Sequence, residues 1–89
     1  MYYTLELNFN PAGAPRYEHY VYVDADNIED LAKKIIEIRE QYIDHEGYDW
    51  YANQTAYMSI LDSDGDWLED IENEVFAAIR EVKGGGFWL

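Results

Sequence analysis

The chain contains no cysteine, which excludes a disulfide framework, a thiolate nucleophile and any cysteine-based zinc site. A small secreted scaffold that depends on covalent staples is therefore disfavoured. Cations are scarce as well: 6 Lys and Arg stand against 19 Asp and Glu, for a formal net charge of −13. That sign opposes direct contact with nucleic acid or anionic lipid, because phosphate recognition needs cations. No run approaches the roughly 18 uninterrupted apolar residues of a membrane span. The first ten residues carry Glu6 and alternate apolar with polar, unlike the basic start and apolar stretch of a secretory leader. The expectation is a soluble, cytoplasmic protein without membrane association.

Groups that could carry chemistry are equally thin. His19 and His45 fall on different elements, with no paired-histidine spacing. Ser59 and Ser63 are the serines, and neither stands in a nucleophile elbow. Asp62, Asp64 and Asp66 alternate like calcium ligands, but Trp67 occupies the sixth position, where a calcium loop needs glycine, and Asn73 the twelfth, where it needs Glu. A turn leading into a helix is the simpler reading. Gly84-Gly85-Gly86 lacks the preceding strand and following helix of a phosphate cradle. No catalytic residue, cofactor or metal is expected.

What the chain does have is a foldable composition. At 89 residues it suits one core, and 48% apolar and 17% aromatic content supply the material for it. Tyr3, Leu5, Leu7 and Phe9 alternate with Tyr2, Thr4, Glu6 and Asn8, the period of a strand buried on one side. Asn10 to Pro15, with two prolines and Gly13, makes a hairpin loop. Tyr17 to Val23 is the returning strand, with Glu18, Tyr20 and Tyr22 on the face opposite Val21 and Val23. Asp26 and Glu29 form a capping box ahead of Ile28, Leu31, Ala32, Ile35, Ile38 and Tyr42, a helical stripe that stops by Gly47. Tyr48 to Tyr51 and Thr55 to Leu61 are β-prone and predict a second hairpin. Asp66 and Glu69 cap a second helix lined by Leu68, Ile71, Val75, Ile79 and Val82. The prediction is an α+β domain over 1–83, a four-stranded antiparallel sheet in β-β-α-β-β-α order with two helices on one face. Residues 84–89 form a glycine-rich apolar tail, whose Phe87, Trp88 and Leu89 are expected to dock on their own domain or on a partner.

Charge placement supplies the functional expectation. The scaling law for monomers gives a folded surface of roughly 5,400 Å², so acids occur about once per 280 Å². Glu37, Glu40 and Asp44 recur at three- and four-residue spacing and share one side of the first helix, and Glu40 and Asp44 sit where the helix dipole disfavours negative charge. With Glu46 and Asp49 they make a candidate acidic face. Carboxylates one helical turn apart are about 5 to 6 Å from each other, comparable to phosphates along a nucleic-acid strand. Exposed ion pairs are each worth only about 0 to 1 kcal/mol, so aromatic anchors are needed too, and Tyr20 and Tyr22 are the candidates.

In size, acidity and mixed strand-helix pattern the chain resembles the small phage-encoded anti-CRISPR and antirestriction proteins, several of which are nucleic-acid mimics. The resemblance implies a non-enzymatic inhibitor, a DNA mimic that occupies the basic nucleic-acid channel of a CRISPR effector or another DNA- or RNA-handling protein in the host cytoplasm. It carries no shared motif; Glu37, Glu40, Asp44, Glu46 and Asp49 are nominated by spacing alone. The alternative is a small interaction or accessory domain whose acidity supplies solubility, bound through its tyrosine face or C-terminal tail. Homodimerisation is compatible with either.

Overall fold

Strand β1, Tyr2–Phe9, lies in the middle of a three-stranded antiparallel sheet. Strand β2, Tyr17–Asp24, flanks it on one side and β3, Tyr57–Asp62, on the other. The computed structural model describes residues 1–54 and 56–84, and adds helices α1 (Ile28–Glu40), α2 (Trp50–Asn53) and α3 (Glu69–Lys83).

The period-two pattern of β1 does what it predicts. Tyr3, Leu5, Leu7 and Phe9 are buried in one cluster with Leu31, Ala32, Ile35 and Ile36 of α1 and Val75 and Ile79 of α3. The two long helices pack against each other on that side of the sheet. Thr4 and Asn8 point the other way yet are also buried, because a central strand has neighbours on both flanks. The register pairs Leu5 with Val21 on one side and with Ile60 on the other.

The class is α+β, but among the described residues the sheet has three strands rather than the four expected, and there are three helices rather than two. The element that differs is Tyr48 to Tyr51. Its β-prone aromatics are overridden by Asp49, whose carboxylate accepts a hydrogen bond from the Ala52 N–H at 3.0 Å and starts the single-turn helix α2. Only an isolated bridge between Ile43 and Asp49 remains of the expected strand. The following strand begins at Tyr57, two residues later than read.

Two caps shift as well. Asn27, not Asp26, caps α1, its side chain accepting from the Asp30 N–H at 2.9 Å, while Asp30 reaches back to the Asp26 N–H at 3.0 Å. At the start of α3, Leu68 is the N-cap and supplies no side-chain bond. Asp62 instead organises the preceding turn by accepting from the Asp64 and Asp66 N–H groups, both at 2.9 Å, and Gly65 completes it with φ of 89°. The expected docking of Phe87, Trp88 and Leu89 lies outside the described residues. No described helix is long and apolar enough to cross a membrane.

Candidate functional site

The five carboxylates nominated for the acidic face meet different fates. Asp49 receives both arms of Arg39, Nη1 to Oδ1 at 2.9 Å and Nη2 to Oδ2 at 2.7 Å. Arg39 is only 1% exposed and lies over the Tyr51 ring, 4.2 Å from its centroid. Burial works against the Asp49 charge, but the Arg39 and Ala52 donors outweigh it and hold the carboxyl below its ordinary range. Glu40 is paired with Lys83, so the unfavourable carboxylate at the end of α1 is offset by a cation from the last turn of α3. Both of these acids are locally neutralised.

Asp44 acts as a loop organiser. It accepts from the Glu46 N–H at 2.9 Å, the Tyr48 N–H at 3.0 Å and the Trp50 indole at 3.2 Å. The Tyr48 bond is the largest of several that lower its pKa. Glu37 and Glu46 remain on the surface, Glu46 with His45 at 3.8 Å. The helix-one array is therefore not a row of equivalent open charges. The loop it frames does present Tyr48 and Trp50, exposed and packed edge to face at 4.8 Å between centroids.

A second surface is better assembled. The sheet face turned away from α1 and α3 carries Thr4, Glu6 and Asn8 in its middle row. Glu6 lies between Tyr20 and Ser59, Asn8 between Glu18 and Tyr57, and Thr4 between Tyr22 and Leu61. Tyr22 is 80% exposed and Tyr20 43%, so both tyrosines nominated from the sequence do face outward. Tyr57 joins them, though nothing in the sequence singled it out. Its strand parity carried the signal once the register to Asn8 was known.

These groups are interlinked. The Tyr20 hydroxyl donates to Glu18 at 2.6 Å, the Asn8 amide to Glu6 at 2.9 Å, and Arg16 to the Tyr57 hydroxyl at 3.3 Å. Bonding to Glu18 favours the neutral phenol and pushes the Tyr20 pKa up to about 12. Between them runs an open groove of about 660 Å³ lined by Glu6, Asn8, Arg16, Glu18, Tyr20 and Tyr57. Among the described residues Arg16 is the one cation lining it. Such a surface offers carboxylates and aromatic rings to a cationic ligand, and one guanidinium that limits its negative charge at one end.

Among the described residues, no group of three or more His, Asp or Glu side chains is placed to hold a metal ion. In comparison with known proteins, the chain matches no family model, no curated protein and no solved structure.

Proposed function

We propose that this chain is a non-enzymatic acidic binding protein whose open sheet face engages a cationic surface of another protein. The observation that carries this reading is the row of Tyr20, Tyr22 and Tyr57, exposed among the described residues and interleaved with Glu6 and Glu18. Aromatic anchors supply contact area at low entropic cost, and the carboxylates select the sign of the partner and steer its approach. With a net charge of −13, the basic nucleic-acid channel of a CRISPR effector or similar DNA- or RNA-handling protein is the class of target that fits. Occupying that channel makes the chain an inhibitor.

A second reading puts the contact at the 43–50 loop, favoured by the exposed Tyr48 and Trp50 pair beside Glu46. One experiment addresses both. The chain is used as bait in host lysate at about 50 and about 200 mM salt, a range over which phosphate-type contacts lose most of their affinity. The expected captures are basic nucleic-acid-handling proteins, released by added DNA or RNA, lost at the higher salt and lost with the Glu6→Lys, Glu18→Lys variant. Loss with Glu37→Lys, Glu46→Lys instead selects the loop. Capture indifferent to salt and to both reversals refutes a charge-selected target.

A further inference from the structure

The two outer strands of this sheet are finished differently. In an antiparallel pair, hydrogen-bonded positions alternate with non-bonded ones, so one exchange of bonds fixes the parity of the whole strand. Met1 and Ala25 exchange both bonds, the Ala25 N–H to the Met1 carbonyl at 3.0 Å and the Met1 nitrogen to the Ala25 carbonyl at 3.2 Å. Counting back along the register, Val23, Val21, His19 and Tyr17 turn their backbone groups toward β1. Glu18, Tyr20, Tyr22 and Asp24 turn theirs outward.

On β3 the outward positions Ile60 and Asp62 are closed, and the buried Met58 is the outward position without a partner among the described residues. The Ile60 N–H donates to Glu72 at 3.1 Å, the Ile60 carbonyl accepts from the Leu68 N–H at 2.9 Å, and the Asp62 N–H donates to the Asp66 carbonyl at 2.9 Å. On β2 only the Asp24 carbonyl is taken, by the Lys34 ammonium. The outward N–H and C=O groups of Glu18, Tyr20 and Tyr22 have no partner among the described residues. Between Tyr17 and Asp24 there is no proline and no lysine, two of the devices that blunt an edge.

We infer that β2 is a docking edge, which takes an extended segment of a cationic partner as a fourth, antiparallel strand. This rests on the cationic-partner reading above and supplies its mode of recognition. Strand addition places the incoming residues paired with Glu18, Tyr20 and Tyr22 on the same face as those side chains. Basic residues at alternate positions there meet Glu18 and the tyrosine rings, while the intervening residues lie beside His19, Val21 and Val23 and are apolar. A second copy of this chain is the poorer occupant, since it brings another −13 and its own Glu18 and Asp24 to the same edge.

The probe is an acetylated, amidated octapeptide alternating Lys or Arg with Val, labelled for fluorescence anisotropy at low salt. In antiparallel addition its basic residues direct their N–H groups at β2 and its valines direct theirs away. N-methylation of the basic residues is expected to weaken binding at least tenfold, and N-methylation of the valines by less than threefold. Tyr20→Pro, which removes an outward donor but no β1 bond, should bind at least tenfold more weakly than Tyr20→Ala, with both variants matching the parent by circular dichroism. If methylation position makes no difference while Glu18→Lys abolishes binding, strand addition is overturned and the cationic-face reading stands. No binding of the unmethylated peptide overturns both. A homodimer in sedimentation that Tyr20→Pro dissociates makes the second copy the occupant and also overturns the proposal.

Discussion

Replacing Asp49 with Asn removes one negative charge from a buried pair while leaving an amide oxygen able to cap α2, so the change isolates the ion pair from the cap. Arg39 stays in place at 1% exposure, deprived of the carboxylate that neutralises it. Removing one partner of a fully buried pair costs about 3–5 kcal/mol. Here the Asp49 side chain is 23% exposed, so water recovers part of the loss, and the Tyr51 ring still faces the guanidinium at 4.2 Å. A destabilisation of about 2–3 kcal/mol follows, a large share of the roughly 4–13 kcal/mol available to a domain of this size. In thermal unfolding that is a drop of roughly 10–20 °C.

Urea unfolding followed by circular dichroism reads the free energy, and pH supplies the control. The native pKa of Asp49 is lowered, so the stability it contributes is present above the unfolded carboxyl value near 4 and fades as pH falls through the still lower native value. The gap between parent and variant should therefore narrow as the solution is acidified below about pH 4. A gap under about 1 kcal/mol at neutral pH, or one that stays constant into acid, refutes the assignment of this pair as a structural clamp. The paired replacement Arg39→Met, Asp49→Asn removes both charges together while keeping the cap, and should be less damaging than Asp49→Asn alone.

Two further outcomes are expected. The Tyr51 hydroxyl is buried with no hydrogen-bond partner among the described residues, so Tyr51→Phe should raise unfolding stability by up to about 1 kcal/mol in urea titration, and a loss of more than that would mean the hydroxyl is satisfied. Tyr20, held as the neutral phenol by Glu18 up to a pKa of about 12, should ionise late in an ultraviolet titration. Its contribution to stability persists below the unfolded phenol value near 10 and disappears as pH rises through the native one. Glu18→Gln should return one phenol to the ordinary range, and an unchanged titration curve counts against the bond.

Local pattern made most of the fold legible before any coordinates. The hairpin of β1 and β2 follows from strict alternation around a proline-rich loop, and the helical stripes of Leu31 to Ile35 and Val75 to Ile79 land in the core as spaced. The segment at Tyr48 to Tyr51 misleads because its aromatics favour a strand in isolation, whereas a capping carboxylate clamped from α1 decides the matter. A sign of this was present in Arg39, which falls four residues after Ile35 on the apolar side of α1, where a cation requires a carboxylate partner. Tyr20 and Tyr22 were readable as outward by parity. The roles of Glu6, Glu18 and Tyr57 were not, because they depend on which strands adjoin β1. The closure of the β3 edge at Ile60 and Asp62 was still further from view, since it depends on how the chain turns back after Asp62 to bring Asp66, Leu68 and Glu72 beside that strand.

The central strand is also the first one synthesised. As the nascent polypeptide emerges, β1 finds β2 after a short loop, and such a hairpin closes within about 1–10 μs. Its other flank must wait for β3, which at translation speeds of about 5–20 residues per second leaves the backbone groups of Thr4, Glu6 and Asn8 without their strand partners for about 2–8 s after the hairpin is made. During that interval the growing chain presents vacant positions on both sides of the hairpin. The arrival of β3 and α3 shuts one of them, so synthesis itself runs from a two-sided template to a one-sided one.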